Sequence, residues 1–289
     1  MTSFGRRDTT LAALASLERA AASQACAVQA VLVDDRSPDG TAEAVRARHA
    51  WVQVVESAGD LFWCRGMHLA IEHAMRSQPE FLLWLNDDTL LDSDALARLI
   101  ELHDTVGTAG AQPAIVVGST RDPVTGSRSY GGCRRVSGLS PITTRYVEPR
   151  ATAQQVDTFQ GNLVLVNARA FAILGNLDAG FEHGMGDTDY GFRAGYAGVP
   201  VWLCPGTLGT CSPNTTRGTY QDVSLAWRRR WALFVGRKGM PPLSWLRFTR
   251  RHAGRLWPLH FLRPYCVFAL GLARDGLAAL AGGSRLSTR

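Results

Sequence analysis

Two short apolar runs, each closed by acidic residues, constrain this chain more than any other feature. Residues 27–34 (AVQAVLVD) are rich in β-branched side chains and stop at Asp34-Asp35, and residues 81–85 (FLLWL) stop at Asn86-Asp87-Asp88. Short, predominantly apolar runs of this length read as buried strands rather than half-exposed ones. The first is followed by a turn, Asp35-Arg-Ser-Pro-Asp-Gly-Thr41, with Asp39 or Thr41 able to cap a helix over residues 42–49. Val52 to Val55 is a second strand. After it, Met67, Ala70, Ile71, Ala74 and Met75 recur at i, i+3, i+4, i+7 and i+8 and form one apolar helix face. A helix with Leu96, Leu99 and Ile100 on one side follows the Asp-ended run at 81–88. Strands alternating with helices imply an α/β fold, a largely parallel sheet with helices on both faces, and ligands at the carboxyl ends of its strands.

The rest of the chain fits the same plan with two irregular stretches. A helix from about Thr9 through Leu11, Leu14 and Leu17 needs a strand before it, and only Met1 to Phe4 is available, so that strand is very short or partly missing from the start. Residues 119–150 are rich in Gly, Ser, Thr and Arg and read as loops with short edge strands. Gly161-Asn162 precedes the run Leu163-Val-Leu-Val166, Asp187-Thr-Asp189-Tyr-Gly-Phe-Arg193 opens a short helix, and residues 201–204 make a last strand.

Acidic pairs at the ends of parallel strands converge on one crevice. Hard oxygen donors there suit a divalent cation that completes its shell with substrate phosphates, although an acidic residue after a strand also serves as a turn former or cap. At Asp187 and Asp189 the same choice stands between partners for a helix N-terminus and a general base that takes a proton from an attacking hydroxyl.

The ordered set Val33-Asp34-Asp35-Arg-Ser-Pro-Asp-Gly-Thr41, Leu85-Asn86-Asp87-Asp88, Gly161-Asn162 and Gly186-Asp187-Thr-Asp189-Tyr-Gly-Phe-Arg193 resembles a family 2 glycosyltransferase of the GT-A fold over about residues 1–216. The stretch Gly59-Asp-Leu-Phe-Trp63 with Gly66-Met67 is similar to the rhamnosyltransferase-like branch that builds bacterial surface polysaccharides. The resemblance implies an inverting transfer from a nucleotide-diphosphate sugar, such as a UDP- or dTDP-sugar, to a hydroxyl of a glycan or glycolipid. It implies donor-nucleotide contacts at Asp34, Asp35 and Asp87, and Mg²⁺ or Mn²⁺ held by Asp88 with Asn86 at the other end of a D-x-D motif. It implies Asp187 as catalytic base supported by Asp189, and Gly161, Asn162 and Arg193 shaping the site. Trp63 is either a ring stacked on the donor or part of the core. The pattern departs from the family at Asn86, which replaces an Asp, at Gly186, where Glu is usual, and at Cys211, near the place of a metal-binding His. Cys211 is then a softer ligand or a buried structural thiol. A non-catalytic sugar-nucleotide-binding or scaffolding subunit is the alternative that these departures raise. A nucleotidyltransferase would want a Gly-rich phosphate loop near the start, and none is visible.

Charge divides the chain in two. Residues 1–216 hold 17 basic and 23 acidic residues, net −6, whereas residues 217–289 hold 14 and 2, net +12. The basic part mixes Arg228-Arg-Arg230, Arg237-Lys238 and Arg250-Arg251 with Trp227, Trp231, Trp245 and Trp257. That mixture suits an anionic membrane surface bearing a lipid-linked acceptor, or else a helical subdomain with solvated arginines; no nucleic-acid motif accompanies it. The chain therefore divides into a catalytic domain over residues 1–216 and a basic helical extension over residues 217–289. No apolar run is long enough to span a bilayer, and the start lacks a signal-peptide core, which places the protein in the cytoplasm at the inner face of the membrane. Six cysteines without C-x-x-C spacing read as reduced, buried thiols. His68 and His73 read as solvated helix residues.

Overall fold

In the computed structural model, residues 1–22, 27–106, 112–136 and 141–283 are described, with side chains of the last helix only as far as Arg274. Met1–Val136 and Thr143–Asn214 form one compact unit, and the described residues from Thr215 on belong to a second.

The first unit opens on three parallel strands, β1 (Thr2–Ser3), β2 (Ala30–Asp34) and β3 (Val52–Glu56), in the order β1-β2-β3. The strand before the first helix is thus two residues long, paired Thr2 to Val33. Helix α1 (Arg7–Ala22) follows; the Asp39 carboxylate accepts from the Arg7 N–H and so caps its first turn, while Leu11, Leu14 and Leu17 are buried. Asp39 also binds the Thr41 hydroxyl and N–H at the start of α2 (Thr41–Arg48), one carboxylate serving two helix starts. Helix α3 (Phe62–Ala74) begins earlier than its apolar face suggests and takes Trp63 into its first turn.

Strand β4 (Phe81–Leu85) and the short β5 (Leu90–Leu91) lead to α4 (Ala95–Val106), whose Leu96, Leu99 and Leu102 are buried. Then come β6 (Ile115–Arg121), β7 (Arg128–Tyr130), β8 (Gly132–Arg135), β9 (Thr144–Tyr146), β10 (Gln154–Gln155), β11 (Thr158–Phe159) and β12 (Leu163–Asn167). Helices α5 (Ala168–Leu174) and α6 (Gly186–Tyr196) precede β13 (Val201–Thr210), which runs six residues past its expected end. The larger sheet has the order β10-β13-β6-β12-β4, with β5 on β13 and β7 on β6; β8, β9 and β11 form a small sheet of their own.

Direction within the larger sheet positions the site. Strand β12 is antiparallel to both β4 and β6, and β13 is parallel to β6, so β4, β6 and β13 run one way and β12 alone among these four is reversed. The carboxyl ends of β4 and β13 therefore share an edge with the amino end of β12. Trp84, Phe159 and Tyr190 meet edge to face beneath that edge, each 1 % exposed or less.

In the second unit, α7 (Trp227–Val235), α8 (Pro242–His252) and α9 (Trp257–Gly283) are all helical. Among the described residues no helix is long and apolar enough to cross a membrane. Cys64, Cys133, Cys204 and Cys211 are buried free thiols, Cys266 departs from expectation in being exposed, and Cys26 lies outside the described residues. His68 is not merely solvated: its Nδ1 lies 2.6 Å from the Leu177 carbonyl oxygen.

Candidate active site

The shared edge gathers residues from widely separated places in the sequence. Asn86, just past β4, donates its N–H to the carbonyl of Asn162, just before β12, so the acidic block and the Gly161-Asn162 pair are held together by backbone. The Gly161 N–H in turn donates 3.1 Å to Asp187 Oδ2, and Asp187 Oδ1 accepts from the Thr188 N–H at 2.7 Å. Asp187 thus stands in the first turn of α6, beside the amino end of the reversed strand. Burial pushes its carboxyl above the ordinary aspartate range, opposed by those two N–H bonds.

Trp63 closes the other side. Its Nε1–H donates 2.7 Å to Asn86 Oδ1, and its ring lies where a Cβ on Gly161 would overlap it, so glycine is required there. The Asn86 side-chain oxygen is consequently turned toward Trp63. The four-residue stretch that carries Trp63 into place holds Gly59 at φ 95°, Asp60 at 75° and Phe62 at 59°. Two non-glycine residues in the left-handed region are strain that the surroundings must hold. Asp35 does so: its carboxylate accepts from the Leu61 and Phe62 N–H groups at 3.0 Å and from Ser57 Oγ at 2.7 Å. Asp35 is therefore occupied as the cap of α3. Asp34 is 3 % exposed; Oδ2 accepts from the Ser37 N–H, while Oδ1 is buried without a partner. Of the two, Asp34 keeps an acceptor oxygen that no protein donor satisfies.

Asp87 and Asp88 face one cation. Arg6, which follows β1, places NH1 3.2 Å from Asp87 Oδ1 and 2.7 Å from Asp88 Oδ2. Burial raises the Asp87 carboxyl above its usual range, and Arg6 opposes that rise. Arg6 is the residue at this edge that the sequence does not advertise. It reads there as one of two arginines in a polar start, and only the pairing of β1 with β2 brings it to this edge.

Cys211 lies just past β13. Its Sγ is 3.4 Å from Asp88 Oδ1 and accepts from Asn162 Nδ2 at 3.5 Å, and burial with the neighbouring Asp88 charge pushes the thiol up to about 12. A thiol so held is a donor to Asp88, a buried structural group rather than a thiolate.

Asp189 and Arg193 point elsewhere. Asp189 is fully buried and ion-paired with Arg193 Nε at 2.9 Å, and Arg193 also donates to the carbonyls of Leu174 and Asn176. Asp189 has no exposed surface, and its carboxylate is taken up by Arg193. It fixes α6, and with it Asp187, to the end of α5.

Among the described residues no cluster of three His, Cys, Asp or Glu side chains makes a closed metal cage. The donor set at this edge is the Asp87 and Asp88 carboxylates, hard oxygens that already balance one positive charge. That set fits Mg²⁺ or Mn²⁺ of the kind that keeps waters and substrate phosphates in most of its positions.

Residues 1–130 match the family described as Glycosyl transferase family 2. No curated protein sequence matches the chain. Similar solved structures include the mannosyltransferase PcManGT from Pyrobaculum calidifontis in complex with GDP-Man and Mn²⁺, with 18% identity, a TM-score of 0.52, and coverage of 100% of this chain and 79% of that one. They also include S. aureus TarS, with 12% identity, a TM-score of 0.52 and coverage of 82% of this chain, which spans 42% of TarS. TarS 1-349 in complex with UDP-GlcNAc has 12% identity, a TM-score of 0.50 and coverage of 78% of this chain and 60% of that one. The first unit has the GT-A fold, mixed in strand direction, and a helical region follows it.

Proposed function

From a glycosyl transferase family 2 domain over residues 1–130 and this edge, we propose a nucleotide-sugar glycosyltransferase that inverts the anomeric centre. The observation that carries it is the Asn86–Asn162 and Gly161–Asp187 backbone linkage, which ties a carboxylate pair suited to a diphosphate-bound cation to a carboxylate suited to act as base. Asp187 takes the proton of an acceptor hydroxyl; the oxygen forms its bond to the anomeric carbon as the bond to the diphosphate breaks, and the nucleoside diphosphate leaves. Asp34 Oδ1 accepts from the nucleoside of the donor. Trp63 and Gly161 form the floor against which the sugar is held. Asp87 and Asp88 would hold Mg²⁺ or Mn²⁺, which would supply stabilisation of charge on the leaving diphosphate. Asn86 supports Trp63 and need not be a ligand.

The donor is a UDP- or dTDP-sugar, rhamnose included, and the acceptor a glycan or lipid-linked glycan of cell-surface polysaccharide synthesis at the inner membrane face. Residues 1–216 serve catalysis and residues 217–289 attachment. A thermal-shift panel of UDP-, dTDP- and GDP-sugars, with Mn²⁺ and with chelator, tests donor binding; a shift that ignores metal would sink the cation assignment. Donor hydrolysis or transfer by the purified chain separates an enzyme from a non-catalytic subunit.

A further inference from the structure

Helix α9 has two apolar faces, and only one is used within its unit. On one side Phe268 stacks on Phe234 at 4.2 Å between ring centres, Tyr265 meets Phe234 at 5.7 Å, Trp245 Nε1–H donates to the Phe261 carbonyl, and Tyr265 OH donates to the Met240 carbonyl. These aromatics fix α9 on α7 and α8. The other side carries Leu259, Leu262, Val267 and Leu270, every one at least half exposed, with Leu256 just ahead of them. A groove of about 500 Å³ between Trp227 and Trp231 of α7 and Ala269, Leu272 and Ala273 of α9 continues that apolar surface. Aliphatic side chains are not left in water on this scale without an occupant.

Charge identifies the occupant. Arg263 and Arg274 are exposed along the same helix, Arg255 is exposed just ahead of it, and Arg228 stands 5.3 Å over the Trp227 ring at the groove. Asp222 is the only acid among the described side chains from Thr215 on. A second copy docked face to face would set these arginines against their own likes, and a nucleic acid would leave the leucines against phosphate. A surface that is anionic outside and hydrocarbon beneath satisfies both sets at once.

We propose that the Leu259–Leu262–Val267–Leu270 face of α9, with the Trp227–Trp231 groove, seats on an anionic lipid bilayer, its aliphatic side chains in the acyl boundary and its arginines on headgroup phosphates. The inference deepens the glycosyltransferase reading, on which it rests for what the membrane carries, a lipid-linked acceptor. The contact is peripheral, through a helix lying in the interface plane.

Flotation of the full chain with vesicles of phosphatidylcholine, alone and with about one third phosphatidylglycerol, reads the contact directly. The wild type partitions onto the anionic vesicles, and vesicles with brominated acyl chains quench its tryptophan emission. Leu259→Ser, Leu262→Ser and Leu270→Ser combined should weaken partitioning by at least about tenfold. Because all three side chains are exposed, the variant keeps its fold. Arg255→Glu with Arg263→Glu should weaken binding to anionic vesicles by about fivefold or more and leave the weak neutral binding unchanged. Val124→Ser, an exposed aliphatic in the other unit, changes nothing. Unchanged flotation of the triple-leucine variant, or no flotation of the wild type, overturns the proposal; so does a dimer that the leucine changes dissolve. The donor thermal shift, measured without vesicles, is independent: its absence beside intact flotation defeats the glycosyltransferase reading and leaves this surface standing.

Discussion

Asp187 and Asp189 stand two residues apart on one helix and have separate roles, because the turn between them directs one to the strand edge and the other into the core. Asp187 bonds two N–H groups and is held above the ordinary aspartate range by burial. A carboxyl whose folded pKa is raised binds its proton more tightly folded than unfolded. Its stabilising contribution is therefore present below the unfolded pKa and is lost as pH rises through the folded one. Asp187→Asn removes a charge that the fold holds at a cost, so its melting temperature at neutral pH should equal or exceed that of the wild type, while turnover falls by about 10²–10⁴-fold. Activity of the wild type should likewise fall with decreasing pH at a higher pH than an unperturbed aspartate would give. Asp189→Ala leaves Arg193 without its carboxylate partner and should lower stability by about 3 kcal/mol, read by denaturant unfolding. If Asp187→Asn were the unstable variant and Asp189→Ala the stable one, the two roles would be exchanged.

Elements meet at this site through glycines, and the seams set what each tolerates. Gly191 of α6 lies so close to Thr158 of β11 that an added Cβ would meet both its side chain and its Cα. Backbone cannot yield as a side-chain tip can, so Gly191→Ala should cost about 1–3 kcal/mol, measured by thermal unfolding, and should tilt α6 enough to lower turnover. Gly161→Ala clashes with the Trp63 ring alone, Asp187 Cβ being at ordinary contact distance, and meets no backbone, so it should leave stability less affected than Gly191→Ala but break the Trp63–Asn86 bond and weaken donor binding, visible in the same thermal-shift panel. This contrast also explains what the sequence made legible. The acidic strand ends, the alternation of strands and helices and the order of the motifs are local patterns, and they single out Asp34, Asp88 and Asp187 as candidates. The direction of β12 is not local, since Leu163-Val-Leu-Val166 reads the same way up or down, and reversal alone brings Gly161 to Asn86. The start of α3 is hidden because its cap, Asp35, lies 26 residues before Leu61 and the intervening loop has non-glycine residues at positive φ. Arg6 is hidden for the same reason: its partners are 81 and 82 residues away.

At the scale of the whole molecule the net charge of +6 is the sum of an acidic stretch and a basic one, and salt separates what each does. The carboxylates proposed to hold the donor's cation are partly buried, with side-chain exposures of 10% for Asp87 and 28% for Asp88, whereas Arg255, Arg263 and Arg274 are exposed. Screening acts on the exposed set first, with a Debye length of about 10 Å at 0.1 M salt and about 3 Å at 1 M. Raising salt should therefore strip the headgroup-arginine part of vesicle binding while donor binding in the presence of metal changes much less. Hydrocarbon insertion is not screened, so the binding that survives at high salt is the share carried by Leu259, Leu262, Val267 and Leu270. The two parts can be separated by flotation at low and high salt for the wild type and the triple-leucine variant. The wild type should lose most but not all of its binding between them, and the variant, which keeps only Val267 of that face, should retain a reduced binding that is more salt-sensitive than the wild type's and falls close to zero at about 1 M. A variant that floats as well as the wild type at high salt would show that some other apolar surface enters the bilayer.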